Sequence, residues 1–226
     1  MGAKVTRIKI CGLTREQDVD AAVDAGADAV GFVLYAASAR AVTVERAAEL
    51  AARLPPFVTP VLLFVNEAAE KATAALSRVG GAMAQFHGDE TPSQCDESAG
   101  QGRFRFMRAA RIPMGPAGAA FDLVKYASDF SHAQAILLDA HVDGYGGGGK
   151  AFDWSLLPPA VDAHLVLSGG LTPANVGDGI RALRTRCKTL SVDVSSGVEA
   201  SRGIKDAAKI REFIAAVRSA DSAFAS

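Results

Sequence analysis

Lys9-Ile10-Cys11-Gly12-Leu13-Thr14 reads as the join between a strand and a helix, and the same join recurs along the chain. Upstream of it, Val5 to Ile10 alternates β-branched with polar residues, the period-two pattern of a strand. Gly12 stops that strand. Thr14 and Gln17 have capping-box spacing, with Thr14 as N-cap and Gln17 reaching back, so a helix is expected to start at once. Cys11 then falls where the carboxyl end of a strand meets the amino end of a helix. Oriented N–H groups and a positive dipole end favour a thiolate there. The plainer alternative is packing, because free cysteines are among the most buried and inert residues.

The pattern repeats. Arg15 to Ala25 forms a helix stopped by Gly26, and Asp28 to Leu34 is a strand whose unbroken apolar core suits a parallel sheet buried on both faces. Thr43 caps a helix to Arg53. Thr59 to Val65 is the third strand, and Asn66 opens a helix over Glu67 to Val79. Ala82 to Phe86 is the fourth strand, before Thr91-Pro92 and Gln94, a second capping box with proline at the first helical position. Phe104 to Ala110, Ala135 to Leu138, His164 to Leu167 and Thr189 to Asp193 complete eight strands. Their helices cover Ala117 to Asp129, the stretch after the Thr172-Pro173 cap, and Asp206 to Arg218, with a frayed tail from Ala220. No full helix follows strand six, where Gly144 to Lys150 is glycine-rich, so that connection is irregular.

Eight βα units in one chain predict a single (β/α)8 barrel spanning residues 1–226. A doubly wound open sheet shares the local pattern, but no Gly-x-Gly-x-x-Gly follows strand one.

The 226 residues are 49% hydrophobic and 22% charged with a net charge of −1, which calls for neither nucleic acid nor an acidic membrane surface. No run approaches a membrane span, and no signal peptide precedes the first strand. The loose myristoylation match at Met1 to Thr6 is discounted, because Val5 is already committed to a strand. Three cysteines, Cys11, Cys95 and Cys187, give no metal-ligand spacing and suit a reducing cytoplasm. A monomer that binds no cofactor or metal is the default expectation.

A parallel barrel gathers every strand's carboxyl end on one rim, where active sites lie. Cys11 and Asp139 end strands one and six, Asp193 ends strand eight, and Arg40 and His87 follow strands two and four. A carboxylate closing an apolar strand is partly desolvated, which suits Asp139 to acid catalysis. A loop-anchoring aspartate is the alternative. Arg40 can clamp a carboxylate or be a surface charge, and His87 can carry a proton or satisfy its loop. Ser168-Gly169-Gly170 and Ser195-Ser196-Gly197 follow strands seven and eight, where this fold frequently holds a phosphate.

Lys9 to Thr14, Gly31 to Val33, Ser38 to Arg40, Phe64 to Asn66 and Gln85 to Glu90 resemble the phosphoribosylanthranilate isomerases. So do Leu137 to Asp139, Gly148 to Trp154, Ser168 to Leu171 and Asp193 to Glu199, all in family order. The resemblance implies an Amadori rearrangement of a phosphoribosyl-anthranilate with Cys11 as general base and Asp139 as general acid. It also implies that Arg40 holds the anthranilate carboxylate and that Gln85, His87 and Asp193 line the site. Gly148, Gly149 and the two serine–glycine loops would hold the phosphate. Ala39 stands where the family often has proline, and Ala36-Ala37 replaces larger loop residues. Another phosphosugar isomerase or epimerase, or a silent phospholigand-binding barrel, is the competing expectation.

Overall fold

The computed structural model describes residues 5–113, 121–141 and 158–224. Eight parallel strands close on themselves in chain order: β1 (Arg7–Cys11), β2 (Ala29–Val33), β3 (Thr59–Phe64), β4 (Met83–Phe86), β5 (Phe106–Pro113), β6 (Ala135–His141), β7 (Val161–Leu167) and β8 (Cys187–Val194). The last strand pairs back onto the first, with Lys9 opposite Asp193. This is the expected (β/α)8 barrel.

Seven helices are described: α1 (Glu16–Ala25), α2 (Val44–Ala51), α3 (Ala69–Arg78), α4 (Pro92–Ser98), α5 (Leu123–Asp129), α6 (Val176–Leu183) and α7 (Ala207–Ser222). Their boundaries follow local chemistry. Gly26 ends α1 in the left-handed region at φ 96°. The Thr43 hydroxyl caps α2, and Thr91 with Gln94 forms the expected capping box on α4. Asp206 caps α7 by accepting from two backbone N–H groups.

Alternation along each strand splits the apolar residues into two sets. Ile8, Ile10, Phe32, Phe64, Phe86 and Leu138 face the helices, including Ile210, Phe213, Ile214 and Val217 of α7. Val61, Met107, Ala109, Leu137 and Val166 form a smaller cluster that fills the inside of the barrel.

Four local expectations are corrected. Thr14 caps no helix: its hydroxyl donates to the Gly203 carbonyl, and α1 begins only at Glu16. Asn66 opens no helix either. It takes φ 51°, its side chain accepts from the Asp89 N–H, and α3 starts at Ala69. Residue 172 does not cap α6; the Asn175 side chain instead accepts from the Thr172 N–H. The tail is ordered through Ser222, because Asp221 accepts from Thr6 and pairs with Arg184 at the barrel's amino mouth. Past β8 a 3-10 turn (Ser196–Val198) leads into β9 (Glu199–Ser201) and β10 (Ile204–Lys205), a hairpin the sequence pattern did not announce. The sixth connection from residue 142 to 157, and residues 117–120 of the helix expected from Ala117, lie outside the described residues, and α5 is described from Leu123.

Candidate active site

Every strand that ends in a singled-out residue aims it inward. Cys11 lies on the same face of β1 as Lys9, and Asp139 lies on the same face of β6 as Leu137. Gln85 shares the inward face of β4 with Met83. Their side chains meet in one pocket at the carboxyl rim, walled by Cys11, Arg40, Gln85, His87, Asp139 and Asp193 and closed by the loops Ser168–Leu171 and Val194–Ser196. Asp139 sits slightly inside β6 rather than at its end, opposite Arg111 of β5.

The acid candidate is held from one side. His87 Nε2 lies 3.0 Å from Asp139 Oδ2, and Gln85 Nε2 lies 2.9 Å from His87 Nδ1. With the Gln85 amide donating to Nδ1, the imidazole carries its proton on Nε2 and donates to the carboxylate.

Cys11 is almost fully buried, and burial pushes its thiol up because a thiolate loses its hydration. Lys9 is the strongest opposing influence. The expected helix dipole is not beside the sulfur, since Gly12 to Arg15 separate Cys11 from α1. Gly12 has φ 78°, and a Cβ there would lie 2.5 Å from Arg40 Cδ, so this glycine brings the Arg40 stem against β1.

Gly169 and Gly170 take φ values of 75° and 66°, which fold the loop after β7 over the pocket. Gly197 is a glycine for another reason. A Cβ on it would stand 1.9 Å from the Leu171 carbonyl oxygen, so the loops after β7 and β8 pack backbone to backbone. Gly197 itself is off the pocket wall. Gly148 and Gly149 lie outside the described residues. Among the described residues no cluster of His, Cys, Asp and Glu could hold a metal ion, and no helix is long and apolar enough to cross a membrane.

Residues 8–216 match the family described as N-(5'phosphoribosyl)anthranilate (PRA) isomerase. The chain belongs to this family. A relative named N-(5'-phosphoribosyl)anthranilate isomerase from Methylibium petroleiphilum is 61% identical over 217 residues, covering 96% of each chain. One from Leptothrix cholodnii is 57% identical, covering 96% of this chain and 93% of the relative. The crystal structure of phosphoribosyl anthranilate isomerase from Thermotoga maritima superposes with a TM-score of 0.82 at 39% identity, over 95% of this chain and all of that one. A further solved isomerase, in complex with reduced 1-(o-carboxyphenylamino)-1-deoxyribulose 5-phosphate, gives a TM-score of 0.76 at 36% identity over 95% and 100%.

Within this family member the sequence reading missed three charged residues at the site. Lys9 Nζ donates to Asp193 Oδ1 at 2.8 Å, and the Ser168 hydroxyl donates to Asp193 Oδ2 at 3.0 Å. Arg40 is gripped by Glu199, through Nε at 2.6 Å and one terminal nitrogen at 2.9 Å. Lys205 Nζ reaches the same carboxylate at 2.9 Å and the Ser195 carbonyl at 3.0 Å. Burial disfavours the Glu199 charge, but Arg40 and Lys205 outweigh it and hold its carboxyl below the usual range. Lys9 and Glu199 were in view in the matching motifs, yet nothing local marks which carboxylate a lysine will meet across a closed barrel.

Proposed function

We propose that this isomerase of tryptophan biosynthesis rearranges N-(5-phosphoribosyl)anthranilate to 1-(2-carboxyphenylamino)-1-deoxyribulose 5-phosphate, with Asp139 as acid and Cys11 as base. One observation carries the reading: a thiol from β1 and a carboxyl from β6 wall the same pocket, beside two serine-bearing rim loops. The relative solved with the reduced product supports the ligand class.

Asp139 gives a proton to the ring oxygen as the bond from that oxygen to C1 breaks, leaving an open-chain iminium. Cys11 as thiolate then takes the proton from C2, and the electron pair flows to nitrogen to form an enolamine. Loss of the C2 hydroxyl proton and protonation of C1 complete the ketone. No electrons leave the substrate. In the observed amide orientation Gln85 Oε1 is buried and accepts no hydrogen bond. Turned over, that oxygen would accept from His87 Nδ1–H and free Nε2 to accept from a protonated Asp139. The Gln85–His87 pair thus fits both protonation states the acid must visit.

Gly169, Gly170, Ser195 and Ser196 supply the phosphate seat at the rim, where backbone N–H groups can approach an anion. Arg40 uses Nε and one terminal nitrogen on Glu199, which leaves the other terminal nitrogen for the anthranilate carboxylate. Replacing Arg40 with alanine removes a charged hydrogen bond worth about 1.5–3 kcal/mol, so KM is expected to rise roughly 10- to 100-fold with kcat much less affected. An unchanged KM takes Arg40 out of the substrate site.

The direct test follows the fluorescence of freshly made phosphoribosylanthranilate with purified protein. Rapid decay at the same rate with and without a chelator is expected. No decay above the uncatalysed rate overturns the proposal.

A further inference from the structure

Lys9 and Cys11 stand two apart on β1, so both side chains enter the barrel, and they share a single gap. Gly31 of β2, the register partner of Cys11, opens that gap. A Cβ on Gly31 would lie 2.7 Å from Cys11 Sγ and 3.0 Å from Lys9 Nζ, so the ammonium and the sulfur both close over the same missing atom. The Lys9 side chain is 4% exposed. Asp193, its register partner in β8, anchors the ammonium at 2.8 Å and is itself tied by the Ser168 hydroxyl.

We infer that Lys9 is a positioning residue of this isomerase: clamped by Asp193, its ammonium sits beside the Cys11 sulfur and stabilises its thiolate form facing the substrate. This deepens the reading of Cys11 as the base and rests on it.

The electrostatics agree with the geometry. Burial pushes the Cys11 thiol up and prevails on balance, so the thiolate a base needs forms only as far as nearby positive charge offsets that burial. Lys9 from β1 opposes burial most strongly, and Lys205 from β10 acts in the same direction. Arg40, from the loop after β2, also faces the sulfur with positive charge, whereas Asp193 works against the thiolate. Lys9 is not itself the base. Burial opposes its charge, but Asp193 and the Cys11 sulfur together outweigh burial and keep it an ammonium well above its ordinary range. An ammonium has no lone pair to offer. The ion pairs Lys9–Asp193 and Arg40–Glu199–Lys205 together leave a net positive charge, which a thiolate neutralises.

The test uses Lys9→Met and reads Cys11 in the whole, substrate-free protein. Alkylation by iodoacetamide is followed on the Cys11 peptide by mass spectrometry across pH, beside the pH profile of kcat/KM. Alkylation at pH 8 is expected to fall at least tenfold, with the midpoint displaced to higher pH, and the rising limb of kcat/KM is expected to move with it. A lower rate with an unmoved midpoint overturns the inference, because a merely structural lysine would act that way. Lys9→Met strands the Asp193 carboxylate, so Lys9→Met/Asp193→Asn is measured as well. Its midpoint is expected to stay above that of the parent protein, and a return to the parent value assigns the shift to Asp193 and overturns the role of Lys9. None of these alkylation readings needs substrate. They therefore stand apart from Cys11→Ser, whose undiminished turnover would remove the base assignment itself.

Discussion

Asp139→Asn and Cys11→Ser each lower kcat by about 10²- to 10⁴-fold while leaving the fold and product-analogue affinity within a few-fold of the parent. Both changes are close to isosteric. Asparagine keeps an oxygen for the proton on His87 Nε2, 3.0 Å away, but has no proton to give the ring oxygen. Serine keeps a hydroxyl in the gap beside Gly31, yet its proton is held far more tightly than that of a thiol. The two losses separate by pH. Burial pushes the Cys11 thiol up, so the thiolate fraction grows as pH rises, and kcat/KM of the parent climbs with it. Cys11→Ser loses that climb, whereas Asp139→Asn retains it. Steady-state kinetics from pH 6 to 9 checks both. Turnover within threefold of the parent in either variant removes that residue from the chemistry.

Arg108→Ala is expected to cost about 3–5 kcal/mol of stability, a fall in Tm on the order of 10 °C for a domain of this size. Arg108 of β5 points outward beneath the loop after β4. It donates to the Phe86 carbonyl at 2.8 Å, the Gly88 carbonyl at 2.9 Å and Glu90 Oε2 at 3.1 Å, with its guanidinium over the Phe130 ring. Glu90 in turn accepts from the Asn66 and Gly88 N–H groups. The pair is only 6% and 5% exposed, so alanine at 108 leaves a buried carboxylate without its cation. That stranded charge is the main loss, and Arg108→Met/Glu90→Gln is therefore expected to recover much of it. Because His87 lies between Phe86 and Gly88, the alanine variant should also lose turnover at temperatures where it is still folded. A thermal melt shifted by less than 2 °C contradicts the account.

Much of this was readable from local chemistry. Strands such as Ala29–Val33 are apolar on both faces because helices cover one side and the barrel interior the other, and Thr91-Pro92 with Gln94 announces its helix from adjacent residues. Knowing that strand ends share a rim then brought Cys11, Arg40, His87, Asp139 and Asp193 together, and the family resemblance added Gln85. Three of the misses share one cause. Thr14 looked like a cap, but its hydroxyl goes to Gly203, a partner 189 residues away. Arg40 read as a clamp or a surface charge, but Glu199, 159 residues on, already holds two of its nitrogens. Lys9 was only the polar half of an alternating strand, whereas closure of the sheet turns that face inward onto Asp193. Spacing reports what a residue can do with its neighbours in the chain, and these three act on residues that only folding brings near.

The seam between the first strand and the last has a consequence for how the enzyme comes into being. Lys9 must wait for Asp193, which leaves the ribosome 184 residues later. Until then the nascent chain presents an unmated strand edge and a thiol lacking its final electrostatic setting. Competence therefore arrives late in synthesis, and a chain cut short before the eighth strand has no partial activity to offer the cell.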